Sequence, residues 1–117
     1  MLLPPDRHRL VDMRHYAAKA LAFTDGLTEV AFLADELRLF ATIRCIEVIG
    51  EAASKVSKET REQHPELPWV FMAPMRHICI HEYGRVDPLR IWQTVRFSLP
   101  DLVAHLDRIL AEPDSRP

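Results

Sequence analysis

Apolar residues along the chain recur at the three- and four-residue steps that are typical of α-helices. The first such stretch, between residues 7 and 23, predicts a helix with Asp6 as its N-cap and Gly26 just beyond its end. A short second helix is predicted over Thr28–Ala34, with Thr28 or the preceding loop as its cap. The apolar positions of the first helix are Leu10, Met13, Ala17, Ala20, Leu21 and Phe23.

The longest regular stretch begins at Leu37, and the prolines of His64–Trp69 predict that its helix ends near Gln63. Glu47 and Glu51 are four residues apart and share a face beside the apolar stripe. These two carboxylates either form a solvated helix edge or support a site across an interface. The apolar stripe itself consists of Leu37, Phe40, Ile43, Ile46, Ile49, Ala53 and Val56.

Prolines and glycines divide the remainder of the chain. The residues from 64 to 69 form a predicted turn, and a helix is predicted from Met75 to the glycine at position 84. Asp87 and Pro88 open the last helix as N-cap and first residue, and Pro100 is expected to kink or restart it. The whole pattern predicts an all-α compact bundle of four to five helices in one domain of residues 1–117. Its core covers about residues 7–110, and residues 112–117 form a polar tail.

Composition restricts the possible partners. The formal net charge of -2 provides no broad basic field, so any contact with nucleic acid must be local or built by two chains. The apolar runs are too short to span a bilayer, and the apolar start of the chain is too short to be a signal peptide. Cys45 and Cys79 both lie among apolar residues, which favours reduced thiols and a cytoplasmic location.

Candidate chemistry is concentrated between Met75 and Tyr83. Arg76 can hold a phosphate, His81 can transfer a proton near neutral pH, and Tyr83 adds a phenol. On a straight helix Arg76 and Tyr83 share a face, whereas Arg76 and His81 point about 140° apart. One helix therefore does not bring Arg76 and His81 together. A two-fold dimer would place two copies of each around one cleft.

Three other interpretations of this segment remain. All three residues can be structural: Arg76 can pair with a surface carboxylate, His81 can cap a helix end, and Tyr83 can pack with its hydroxyl in water. A zinc site would need three or four ligands, whereas only His77 and His81 align on a helix, so no metal site is predicted. A nucleophilic pair of Cys79 and His81 is disfavoured because Cys79 stands between two isoleucines.

The segment resembles the R-x4-H-x-Y signature of HEPN domains of the HepT type, the toxins of bacterial and archaeal toxin–antitoxin pairs. Further resemblances follow in the same order along the chain, from about residue 7 to residue 110. They are Ile49-Gly50-Glu51-Ala52-Ala53, the His64–Trp69 turn, Val86-Asp87 with Trp92, and Leu99-Pro100.

The resemblance implies a homodimeric helical bundle whose motifs face a shared cleft. It implies a metal-independent RNA endonuclease without a cofactor, the toxin of a type II/VII-like pair. His81 would transfer a proton at the RNA 2′-hydroxyl or leaving oxygen, Arg76 would stabilise the phosphate, and His77 would support the site. It also implies an antitoxin, a minimal nucleotidyltransferase of the MntA type, that would transfer AMP to Tyr83.

The chain departs from the family pattern at three places. Pro74 stands where glycine is common, His77 where asparagine is usual, and Gly84-Arg85 where an aromatic residue often follows the tyrosine. Arg76, His81 and Tyr83, the core of the motif, are intact. Because the net charge of -2 provides no broad basic face, an alternative function stays open: a catalytically silent helical module that binds a nucleotide or a nucleotidyltransferase partner.

Overall fold

The structure is a computed structural model that describes residues 2–72, 75 and 87–112. Within these ranges the regular structure is entirely helical, which confirms the predicted all-α class. No helix in this part of the chain is long and apolar enough to cross a membrane. The helices are α1 (Pro4–Thr24), α2 (Glu29–Leu33), α3 (Glu36–Ser54), α4 (Lys58–Gln63), α5 (Trp69–Met72), α6 (Pro88–Gln93), a π-helical segment (Thr94–Ser98) and α7 (Leu99–Leu110).

Helix α1 lies between α3 and α7 and runs antiparallel to both. The guanidinium of Arg38, in the first turn of α3, donates to the carbonyl oxygen of Phe23 near the end of α1 at 2.8 Å. On the other side, Arg14 forms an ion pair of 2.8 Å with Asp107 of α7. Arg7 donates to the carbonyl oxygen of Leu110 at the end of α7. These polar contacts at the edges fix the register of the three helices.

The core is formed by the facing apolar sides of α1, α3 and α7. Phe32 of α2 and Ile91 of α6 close one end of it, and the aromatic rings of Phe32 and Trp92 lie 5.2 Å apart. The thiol of Cys45 is free and buried, as the sequence predicted for a reduced cysteine. The buried residues of the three long helices include Leu10, Met13, Ala17, Ala20, Ile43, Ile46, Ile49, Ala53, Leu99, Leu102, Leu106 and Ile109.

The prediction that Asp6 is the N-cap of α1 is wrong. The helix begins at Pro4, because the fixed φ of proline suits a first helical turn and its missing N–H is not needed there. Asp6 is buried within that turn and accepts hydrogen bonds from the backbone amide and hydroxyl of Ser57 and from the hydroxyl of Thr60. Its carboxylate therefore joins the start of α1 to the start of α4.

Helix α3 is shorter than the sequence predicted. It ends at Ser54, and a new helix, α4, starts at Lys58 with Ser57 as its N-cap and continues to Gln63. The hydroxyl of Ser57 accepts from the amide of Thr60 while donating its own hydrogen to Asp6. Because this arrangement requires an extended residue at position 57, the chain cannot remain one continuous helix there.

The predicted apolar stripe of α3 is only partly buried. Ile43, Ile46 and Ile49 enter the core, but the side chains of Leu37 and Phe40 are 81% and 62% exposed. Leu39 takes the core position in the first turns of the helix. The exposed apolar side chains therefore form a surface that the described part of the chain does not cover.

The last helical run confirms the predictions made for its prolines. Asp87 caps α6 by accepting from the amide of Leu89, and Pro88 is its first residue. The π-helical segment before Leu99 places Pro100 in the first turn of α7. Proline has no N–H to close the helical hydrogen bond, and the wider π turn absorbs that loss.

Arg96 of the π-helical segment holds the loop that follows α1. Its guanidinium lies 4.3 Å from the centre of the Trp92 ring and donates to the carbonyl oxygens of Thr24 and Leu27. Gly26 lies in this loop with a φ of 74°, as expected for the glycine that follows a helix end. Thr28 then caps α2 by accepting from the amide of Ala31, which confirms its predicted role.

Candidate functional site

The predicted catalytic segment, residues 76–83, lies outside the described residues. Arg76, His77, His81 and Tyr83 are therefore sequence predictions, as is the helix predicted from Met75 to position 84. The described residues on either side are Met75, which packs against the core, and Asp87, which caps α6. The structure therefore defines the elements that precede and follow the candidate site.

The His64–Trp69 turn precedes the site and is held together by two hydrogen bonds to one carbonyl oxygen. The indole nitrogen of Trp69 donates to the carbonyl oxygen of His64 at 2.9 Å, and the amide of Leu67 donates to the same oxygen at 3.3 Å. Leu67 is buried, and Met72 at the end of α5 is fully buried. The turn thereby leads directly into α5. The sequence predicted the turn but not the shared carbonyl acceptor.

His64 and Glu66 form the polar part of this turn. His64 is 8% exposed, and its Nδ1 lies 3.2 Å from Oε1 of Glu66. Partial burial opposes ionisation of Glu66. The hydrogen bonds from its own amide and from His64, with favourable electrostatic interactions with His64 and His105, outweigh that cost and lower its pKa. The carboxylate of Glu66 therefore stays ionised near neutral pH and holds the His64 imidazole.

The two glutamates that were predicted to support the site lie on α3. Glu47 is half-buried, whereas Glu51 is exposed and has a carboxylate oxygen 3.2 Å from the amine of Lys55, one turn further along. They share one side of α3, as their spacing predicted. Their role in the site remains a prediction.

Among residues 2–72, 75 and 87–112, no group of three or more His, Cys, Asp or Glu side chains is placed to hold a metal ion. His77 and His81 are not among these residues, so the alternative of a zinc site rests on sequence spacing alone.

Comparison with known proteins identifies the family. A family model described as "Ribonuclease HepT-like" matches residues 13–109. The chain is 32% identical over 107 residues to "Putative RNase MJ1216" of Methanocaldococcus jannaschii, which covers 92% of this chain and 88% of that protein. It is 38% identical over 87 residues to "Probable ribonuclease HepT" of Thermococcus cleftensis, covering 74% and 79% respectively. No solved structure matches significantly. This chain therefore belongs to the HepT-like ribonuclease family.

Proposed function

We propose that the chain is a metal-independent RNA endonuclease in which Arg76 and His81 act on the scissile phosphodiester. The observation that supports this proposal is the R-x4-H-x-Y segment, because it lies inside the region that the ribonuclease family model matches. The named relatives are themselves ribonucleases by name. A guanidinium that binds the phosphate and an imidazole that transfers protons are groups that suit such a reaction.

The chemistry needs no group beyond the RNA and the protein. A base removes the proton of the 2′-hydroxyl, the 2′-oxygen forms a bond to phosphorus, and the bond from phosphorus to the 5′-oxygen breaks. The leaving 5′-oxygen receives a proton, so the products are a 2′,3′-cyclic phosphate and a 5′-hydroxyl. His81 moves these protons, and Arg76 stabilises the negative charge on the phosphoryl oxygens.

The proposal includes a homodimer. The side chains of Arg76 and His81 point about 140° apart on a helix. In a two-fold dimer, the second chain can place its His81 near Arg76 of the first chain and its Arg76 near His81 of the first chain. One His81 can then accept the 2′-proton while the other donates to the leaving oxygen. His77 supports the site from the adjacent position, and Glu47 and Glu51 are its proposed supports on α3.

We further propose that the chain is a cytoplasmic toxin neutralised by a minimal nucleotidyltransferase of the MntA type. The antitoxin transfers AMP to the hydroxyl of Tyr83, forming an oxygen–phosphorus bond and releasing pyrophosphate from ATP. A nucleotide attached there would place negative charge beside Arg76 and occupy the space that substrate phosphate needs. The departure at Gly84-Arg85 affects how the antitoxin reaches Tyr83, whereas the reacting groups of the motif are unchanged.

The reaction type is tested with purified protein, labelled single-stranded RNA and excess EDTA. We expect cleavage to continue in EDTA and the products to carry 2′,3′-cyclic phosphate and 5′-hydroxyl ends, because the nucleophile is the RNA itself. The same RNA with a 2′-deoxy sugar at the cleaved position should not react there. Loss of activity in EDTA with recovery on adding Mg²⁺, or products with 5′-phosphate ends, would contradict the proposal.

Modification of Tyr83 is tested by intact-mass measurement after co-expression with a nucleotidyltransferase encoded beside this chain. We expect one or more adenylate-sized increments that are lost in Tyr83→Phe and retained in Tyr16→Phe, a control tyrosine on α1. The modified protein should no longer cleave RNA. An increment that persists in Tyr83→Phe would exclude Tyr83 as the acceptor. A chain that neither cleaves RNA nor arrests growth, yet binds the nucleotidyltransferase, would favour the silent module.

A further inference from the structure

One side of α2 and the first turns of α3 present an exposed apolar surface. Val30 and Leu33 of α2 are 78% and 41% exposed, and Leu37 and Phe40 of α3 are more than half exposed. Val30 and Leu33 are three residues apart and share one side of α2, and Leu37 and Phe40 are three residues apart and share one side of α3. Several large exposed apolar side chains so close along the chain usually mark a surface that another molecule covers.

Charged residues border this surface, and their order along α3 is complementary to the same row on a second copy running in the opposite direction. Glu36, Phe40 and Arg44 are four residues apart, so they form one row along α3 with an acid, an aromatic ring and a base. Glu36 and Arg44 are both exposed, and neither forms an ion pair with any described residue. They are eight residues apart, about 12 Å along the helix, which is too far for contact within one chain.

We propose that this face binds a second copy of the same chain, with the two α3 helices crossing antiparallel near Phe40. A two-fold axis at Phe40 stacks the two aromatic rings, brings each Leu37 onto the other helix and places each Glu36 opposite Arg44 of the other copy. The four-residue row suits the packing of helices whose i±4 ridges interdigitate. The apolar centre and the charged edge are also the usual anatomy of a protein interface. This inference rests on the homodimer of the proposed function and identifies its surface.

A second copy fits this surface better than RNA does. The exposed side chains at its centre are mainly aliphatic, and an RNA surface needs aromatic rings combined with an excess of cations. Here one acid accompanies one base in the row. The interface is isologous, because the same row on the two copies packs in opposite directions and each Glu36 faces Arg44 of the other copy.

The surface is tested by sedimentation of the full chain over a range of concentrations. Leu37→Asp should weaken the dimer about tenfold or more, because it places a carboxylate in the apolar centre twice per dimer. Leu37 lies in the first turn of α3, where the helix dipole favours a carboxylate, so the monomer should remain folded. Val11→Asp, at an exposed valine on the outer side of α1, is the control and should leave the dimer unchanged.

Charge exchange tests the predicted pairing. Glu36→Arg and Arg44→Glu should each weaken the dimer, because each creates two repulsive contacts across the axis. The double variant Glu36→Arg/Arg44→Glu should restore it, since both pairs then have opposite charges again. If both single variants weaken the dimer and the double variant does not restore it, the antiparallel crossing at Phe40 is excluded.

The outcomes separate this surface from the proposed enzymatic function. A wild-type monomer at high micromolar concentration, or a dimer insensitive to Leu37→Asp, overturns the surface. The proposed surface is also overturned if the Leu37→Asp protein remains dimeric but no longer binds a fluorescent single-stranded RNA or the nucleotidyltransferase. A Leu37→Asp monomer that cleaves RNA at the wild-type rate supports the surface and contradicts the shared cleft. Unchanged RNA cleavage by His81→Ala contradicts the catalytic proposal and leaves the surface intact.

Discussion

Replacing His81 with alanine is expected to lower the rate of RNA cleavage by about 10²- to 10⁴-fold, the usual contribution of a positioned proton-transfer group. Alanine can neither accept the 2′-proton nor donate one to the leaving 5′-oxygen. The rate is measured at substrate saturation, so that loss of the chemical step is distinguished from loss of binding. Expression of His81→Ala should also no longer arrest growth.

Arg76 should behave differently from His81. Arg76→Ala removes both the charge and the paired N–H donors, whereas Arg76→Lys keeps the charge but loses the bidentate geometry. Activity should therefore fall in the order wild type, Arg76→Lys, Arg76→Ala. Mixing Arg76→Ala with His81→Ala and allowing subunits to exchange should restore only partial cleavage. The mixed dimers contain one Arg76 and one His81 but lack the second His81 that the mechanism uses.

Matched controls make the result specific. His8→Ala and Arg90→Ala change the same residue types at exposed positions of α1 and α6, and both variants should cleave RNA normally. All variants should melt at the wild-type temperature. Full activity of a well-folded His81→Ala protein would remove His81 from the mechanism.

Asp6→Ala should lower the free energy of unfolding by about 3 kcal/mol. The substitution leaves three buried or half-buried donors without an acceptor: the amide and hydroxyl of Ser57 and the hydroxyl of Thr60. For a chain of this size the melting temperature should fall on the order of 10 °C. Asp12→Ala, at an exposed carboxylate of the same helix, should leave it nearly unchanged.

The contribution of Asp6 should also depend on pH. Burial opposes ionisation of its carboxyl group, but the hydrogen bonds from Ser57 and Thr60 outweigh burial and lower its pKa. A carboxyl group with a lowered pKa in the folded state stabilises the fold above its unfolded pKa of about 4. That contribution is lost as the pH falls through the lower, folded pKa. The stability difference between wild type and Asp6→Asn should therefore shrink on acidification, and a difference that stays constant would contradict this account.

Local signals in the sequence were sufficient for much of the helical framework. The hydroxyl of Thr28 and the carboxylate of Asp87 cap the helices that they were predicted to cap. Pro100 falls in the first turn of a restarted helix, as expected from its missing N–H. Each of these roles depends on residues within a few positions along the chain, so spacing alone identifies them.

The sequence by itself determined the helical class, these caps and the order of family motifs, including Arg76, His81 and Tyr83, whose roles remain predictions. Tertiary structure alone decided that Asp6 binds the start of α4, 51 residues away at Ser57, instead of capping its own helix. It also decided that Leu37 and Phe40 face outward. Periodicity shows which residues share a side of a helix, but burial depends on which sides the neighbouring helices cover. Here α1 packs between α3 and α7, and the first turns of α3 keep an apolar side that the described chain leaves uncovered.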